Sequence, residues 1–143
     1  MEPLFNPFDF EDVDSVDIAI RNPIGGELTG ASVTLMGPVH PRRREIDFAI
    51  ARRASKRLVE AMTKGRNAID QSDPEEEDQQ QTDRLAKYTL GWSGLAGEDG
   101  KPLDFSVAAA RKLYSTPKLR WLRDQLKEAA DDRERFTRRS AAS

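Results

Sequence analysis

The chain has 143 residues, 37% of them hydrophobic, 7% aromatic and 34% charged, so it can bury one modest core. It has no cysteine and one histidine, which excludes disulfides, thiolate metal sites and cysteine nucleophiles by inventory. The formal charge of −2 hides three blocks: six acids and no base in the first 20 residues, nine Lys or Arg against three acids from Pro41 to Arg66, and seven acids without a base from Asp70 to Asp83.

Opposite blocks attract over about 8–10 Å in physiological salt, so pairing within or between chains is expected. The first residues, Met1-Glu-Pro-Leu-Phe, lack the basic and apolar regions of a secretory signal. No stretch approaches the roughly 18 apolar residues of a membrane helix, so a soluble protein is expected.

Residues 1–12 form an acidic arm in which Leu4, Phe5, Phe8 and Phe10 alternate irregularly with Asp, Glu and Pro. Without helical or strand period it reads as a flexible terminus, or as a docking motif that folds on binding. Residues 13–66 read as a β-hairpin followed by a basic amphipathic helix. Val16, Ile18 and Ile20 alternate with polar neighbours, Asn22-Pro-Ile-Gly-Gly-Glu supplies a turn, and Val33 and Leu35 continue the alternation until Gly37-Pro38. A lone hairpin is marginal in water, so its apolar face needs a cover.

From Pro41 to about Lys64 a helix is expected, with Ile46, Ile50, Ala54, Leu58, Ala61 and Met62 on a narrow stripe, arginines elsewhere, and Gly65 as its C-cap. Residues 67–82 read as an acidic low-complexity linker, because Asp70 to Gln81 contains nothing that burial could stabilise. Residues 83–136 are expected to form a three-helix unit. Its helices run from about Asp83 to Trp92, from a Ser106 cap through Tyr114, and from a Thr116-Pro117 start to Phe136; residues 137–143 follow as a flexible tail. The expected fold class is α+β, mainly α. Trp121 lies roughly 120° from the stripe of the last helix, so it packs on a neighbour or awaits a partner.

No constellation carries catalysis. His40 stands between Val39 and Pro41 without companion ligands, and no carboxylate pattern has metal-ligand spacing. The glycines fit neither the phosphate-loop nor the dinucleotide pattern, and Glu75 to Asp78 read as a solvated run. The chain is therefore read as a non-enzyme without metal or cofactor. The arginine-rich helix could meet phosphates, but its cations spread over more than one face and an acidic block follows, which argues against nucleic acid. Apolar stripes build cores, and what they leave uncovered holds partner helices. Trp92, Phe105, Tyr114, Trp121 and Phe136 are the candidate partner-binding residues, aromatic side chains being enriched in binding hot spots.

Asp17-Ile-Ala-Ile-Arg-Asn-Pro, Thr29-Gly-Ala-Ser-Val-Thr-Leu-Met-Gly-Pro and the basic helix resemble the start of a set of small phage and prophage proteins. The second half continues the likeness in Gly91-Trp92, Gly100-Lys-Pro-Leu-Asp-Phe-Ser106, Leu113-Tyr114, Pro117-Lys-Leu-Arg-Trp-Leu122 and Asp132-Arg-Glu-Arg-Phe136. Proteins of this kind are similar to tail assembly chaperones, which bind the hydrophobic tape-measure protein before the tail tube polymerises. The resemblance implies a tail protein as partner, possible self-association, no membrane, and action in the host cytoplasm. The C-terminal helices and hairpin would then shield the client. The alternatives are a structural component of the virion, at the tail or head–tail junction, and a nucleic-acid-binding regulator acting through the basic helix.

Overall fold

The computed structural model describes residues 4–64 and 73–140. Ile18 and Ile20 are buried while Asp17, Ala19 and Arg21 face water, and this alternation makes Ser15–Arg21 a half-covered strand, β2. The three-residue strand β1 (Phe10–Asp12) precedes it, and β3 (Leu28–Met36) follows. Gly25 and Gly26 make the β2–β3 turn with φ of 87° and 76°, a left-handed backbone that side chains with a Cβ resist. The ladder runs antiparallel from Ser15 opposite Met36 to Ala19 opposite Ser32, then shifts register before Arg21 meets Leu28.

The hairpin is not alone. Thr89–Ser93 forms β4 along the other edge of β3, with Val33 opposite Trp92 and Leu35 opposite Thr89, so the sheet order is β2-β3-β4. The expected helix from Asp83 to Trp92 instead ends at Tyr88. Leu85, Tyr88, Trp92 and Leu95 share helical spacing, yet Thr and Trp also suit a pleated surface, and the open edge of β3 supplies the backbone partners.

The acidic connector is also corrected: α2 spans Pro74–Tyr88. Asp73 caps it, accepting the Glu75 amide at 3.0 Å, Pro74 occupies the first turn, and Glu75, Glu76 and Glu77 lie against the positive end of the helix dipole. Only part of the expected linker is involved, since residues 65–72, with the proposed Gly65 cap, lie outside the described residues.

Two further helices complete the layer: α3 (Val107–Ser115), capped by Ser106 accepting the Ala109 amide, and α4 (Arg120–Asp131), entered through a 3-10 turn at Pro117–Leu119. Thr116 gives that turn no side-chain cap; its hydroxyl donates back to the Lys112 carbonyl. One cluster joins Ile18, Ile20, Val33 and Leu35 of the sheet to Leu85, Tyr114, Leu122 and Leu126 of the helices. The expected arrangement of β-hairpin, flexible acidic linker and C-terminal three-helix unit is therefore corrected to an antiparallel sheet to which both halves of the chain contribute strands and which α2, α3 and α4 cover. After a second 3-10 turn at Arg133–Phe136, β5 (Thr137–Arg139) returns to pair with β1, and the Glu11 carboxylate accepts from Arg138 Nε at 3.0 Å.

Candidate functional site

Pro41–Lys64 forms α1, a 24-residue helix about 36 Å long. Its root is fixed by a side chain that the sequence presents as one of three consecutive arginines. Arg43 is buried, and donates from Nη1 to the Met36 carbonyl and from Nη2 to the Ala130 carbonyl, both at 2.9 Å. Its guanidinium lies 4.4 Å from the Tyr88 ring centroid and 5.8 Å from that of Phe136. Nε stands 3.8 Å from the Asp47 carboxylate without a hydrogen-bond partner, an ionic contact rather than a hydrogen bond. Arg43 thus ties α1 to the ends of β3, α4 and α2. His40 has a structural part here, its Nδ1 accepting the Arg42 amide at 3.1 Å.

The Tyr88 hydroxyl donates to Asp47, a bond that joins α2 to α1. Burial, then that bond and the Asp47 charge, push the phenol up to about 12, against the pull of Arg84 and Arg43. Tyr114 is also pushed up to about 12 by burial, a rise opposed by the Thr89 hydroxyl at 2.8 Å.

Beyond its root α1 loses cover. Only Arg43 and Ala61 are buried along it, while Phe48 is 53% exposed, Leu58 53%, Val59 62% and Met62 70%. At 100° per residue Phe48, Ala51, Ser55, Val59 and Met62 fall within about 80° of arc. This second stripe lies beside the expected one, and its signal is the 3-4-4-3 spacing of those five residues. The first stripe, Ile46, Ile50, Ala54, Leu58 and Ala61, floors a groove of about 810 Å³ between α1 and α2, walled on the far side by Glu77, Gln80, Gln81, Asp83, Arg84 and Lys87. Phe48, Leu58, Val59 and Met62 thus leave apolar surface of α1 open to water.

The five aromatic candidates lie elsewhere. Tyr114 and Phe136 are buried in the core, and Trp121 is half-buried against it. Trp92 and Phe105 are brought together edge-to-face, ring centroids 4.9 Å apart, and Trp92 Nε1 donates to the Leu103 carbonyl at 2.8 Å, so both hold the loop after β4. None of the five is among the exposed large hydrophobic residues of the described chain.

A family model described as the YdaY prophage protein matches residues 44–143, well over half of the chain. The chain belongs to the YdaY prophage protein family. The YdaY match opens on the exposed length of α1 and runs through α2, β4, α3, α4 and β5, leaving the hairpin strands β2 and β3 before it. YdaY membership makes this a phage-derived protein; among the described residues no helix is long and apolar enough to cross a membrane. The comparisons with curated proteins and with solved structures each gave no match.

Proposed function

We propose that this prophage protein is a non-enzymatic assembly factor of the tail, a chaperone that holds an apolar helical segment of the tape-measure or another tail protein in the host cytoplasm. The observation that carries the reading is the uncovered apolar surface of α1, exposed at Phe48, Leu58, Val59 and Met62 on a helix whose root is locked. The likeness of the Gly91 to Phe136 words to tail assembly chaperones supports the choice of client. The holding surface moves accordingly from the C-terminal stripes, whose apolar residues build the core, to α1 and its groove.

A preformed helix face suits this work, because the client pays the ordering entropy alone and the receptor keeps its shape. Co-expression with the tape-measure product of the same prophage is expected to raise that product's soluble yield and to give a co-purifying complex. The double substitution Leu58→Ser, Met62→Ser should abolish both effects while leaving the melting temperature unchanged. No gain in yield and no complex with the unaltered chain would sink the proposal, and stoichiometric presence in purified particles would make the protein a virion component instead.

A further inference from the structure

The α1–α2 groove has walls that do not close on each other. At one end the Tyr88 hydroxyl donates to Asp47, and further along α2 Asp78 forms an ion pair with Arg123 Nη1 of α4 at 2.9 Å, so α2 is fastened to the body rather than to the exposed length of α1. Ile46, Ile50 and Leu58 floor the groove at spacings of four and eight residues, the ridge of a helix that another helix can pack along. From Ile46 to Ala61 this floor extends about 22 Å, the length of four helical turns.

Charge around the groove is unequal. Arg53 and Arg57 stand on the α1 side, and Arg84 and Lys87 on the α2 side. The acids of the rim are Glu45, Glu77 and Asp83, and Asp83 is already in an ion pair with Arg111 Nε at 2.7 Å. No ion pair engages Arg53, Arg57 or Lys87 among the described residues. Along the whole of α1 eight Lys or Arg face three acids. The groove thus joins an apolar floor to cations on both walls.

We propose that the occupant of this groove is an acidic amphipathic helix of a partner protein, its apolar face on Ile50 and Leu58 and its carboxylates beside Arg53, Arg57 and Arg84. The inference rests on the partner-binding reading above and adds the chemistry of the segment bound. Apolar anchors at i, i+3, i+4 and i+7 supply affinity, while the charged rim selects sign and register and speeds encounter. Duplex nucleic acid fits less well, because a phosphate backbone meets an apolar floor with nothing to exchange for its hydration, and Glu45 and Glu77 repel it. A cationic helix would set its charges against four unpartnered or lightly engaged cations.

The test uses two labelled synthetic helices of about 18 residues, long enough to span the floor at 1.5 Å per residue. They share one leucine face and differ only in a glutamate or a lysine polar face, and each is titrated into the full chain by fluorescence anisotropy. The glutamate helix is expected to bind at least about tenfold more tightly than the lysine helix, with the gap narrowing as salt rises. Arg53→Glu with Arg57→Glu, both on exposed positions, should reverse the preference without altering the circular dichroism melt, and Leu58→Ser should weaken both helices.

Failure of both helices to bind, equal binding, or a preference for lysine would overturn the inference. So would tighter binding of a twenty-base-pair DNA duplex that is lost in the same double variant, which would make the groove a nucleic-acid site. A tape-measure product captured through α1 by a chain that refuses the glutamate helix would refute the acidic partner and leave the assembly role standing. A bound glutamate helix with no effect on the tape-measure yield would refute the assembly role and leave the groove's preference standing.

Discussion

Arg43 shows how one side chain can be misplaced by its neighbours in sequence. Within Arg42-Arg43-Arg44 it reads as one of a set of phosphate contacts, yet only Arg43 turns inward, where two carbonyls, two aromatic rings and Asp47 receive it. A buried guanidinium stabilises through the groups it satisfies, so its removal leaves the Met36 and Ala130 carbonyls without those donors. Arg43→Met, close in volume, is expected to cost about 2–4 kcal/mol in urea unfolding, whereas Arg42→Met should stay within about 0.5 kcal/mol. Equal effects of the two substitutions would refute the lock. The two tyrosines, the only ones in the chain, offer a second reading at this scale. Both phenols rise from the ordinary value of 10.0 to about 12 in the fold. Native protein therefore holds protons that the unfolded chain releases, so this contribution is complete below pH 10 and is lost as pH rises through about 12. Tyrosinate absorbance of the native protein should lag that of the urea-unfolded chain by about two pH units, and stability should fall across the same interval. Coincident titrations would contradict the burial of both rings.

At the scale of elements, α2 and β4 separate what was legible from what was not. Ser15–Arg21 and Leu28–Met36 could be read from strict alternation, since one buried face forces a period of two. For α2 the acidic composition concealed a start signal that was present in letters: Asp73, then Pro74, then three glutamates. The helix is also tied down by Arg123, 41 positions beyond Thr82 in the chain, and no local pattern announces that contact. Thr89–Ser93 failed for a related reason, because helical spacing and strand propensity coincide there and the deciding partner is the edge of β3. Arg123→Leu should remove the Asp78 pair and the bond to Thr82 at 3.2 Å while keeping bulk in the site. Amides from Glu77 to Gln81 are then expected to exchange faster, with a global loss of about 1–3 kcal/mol, while amides of β3 stay protected until global unfolding. Unchanged exchange in α2 would show that its dipole and cap suffice without the tie. The candidate site was half legible: the narrow α1 stripe was visible, but its exposure followed only from where α2 stands, and the aromatics chosen as hot spots were the ones the core required.

For the molecule as a whole, the ends of the chain close the structure that α1 leaves open. Phe10 lies opposite Arg139 and Asp12 opposite Thr137; the Val13 amide donates to the Phe136 carbonyl at 2.7 Å, and the Ser140 amide to the Asp9 carbonyl at 2.7 Å. Acidic arm and tail are thus paired within one chain, Glu11 with Arg138 and Arg139 above the Phe10 ring at 5.4 Å, which joins the first acidic block to a segment outside the other two blocks, where the sequence predicts a flexible tail. The closure bears on the core because Gly37 sits beneath it, with a Cβ there falling 2.5 Å from the Val13 carbonyl oxygen and 2.9 Å from the Phe136 ring. Val13, Gly37 and Phe136 therefore form one packed joint between the arm, the end of β3 and the last turn. Deleting residues 1–12 removes every β1 partner of β5 and exposes one side of that joint, but touches neither wall of the α1–α2 groove. The truncated chain is expected to melt about 3–8 °C lower and to lose protection at Thr137–Arg139. Its affinity for the glutamate-faced helix should match that of the full chain, since the groove is anchored through Arg43, Tyr88 and Arg123 instead. A truncated chain that melts normally would remove the arm from the fold; one that melts normally and loses the helix would place the arm at the binding surface.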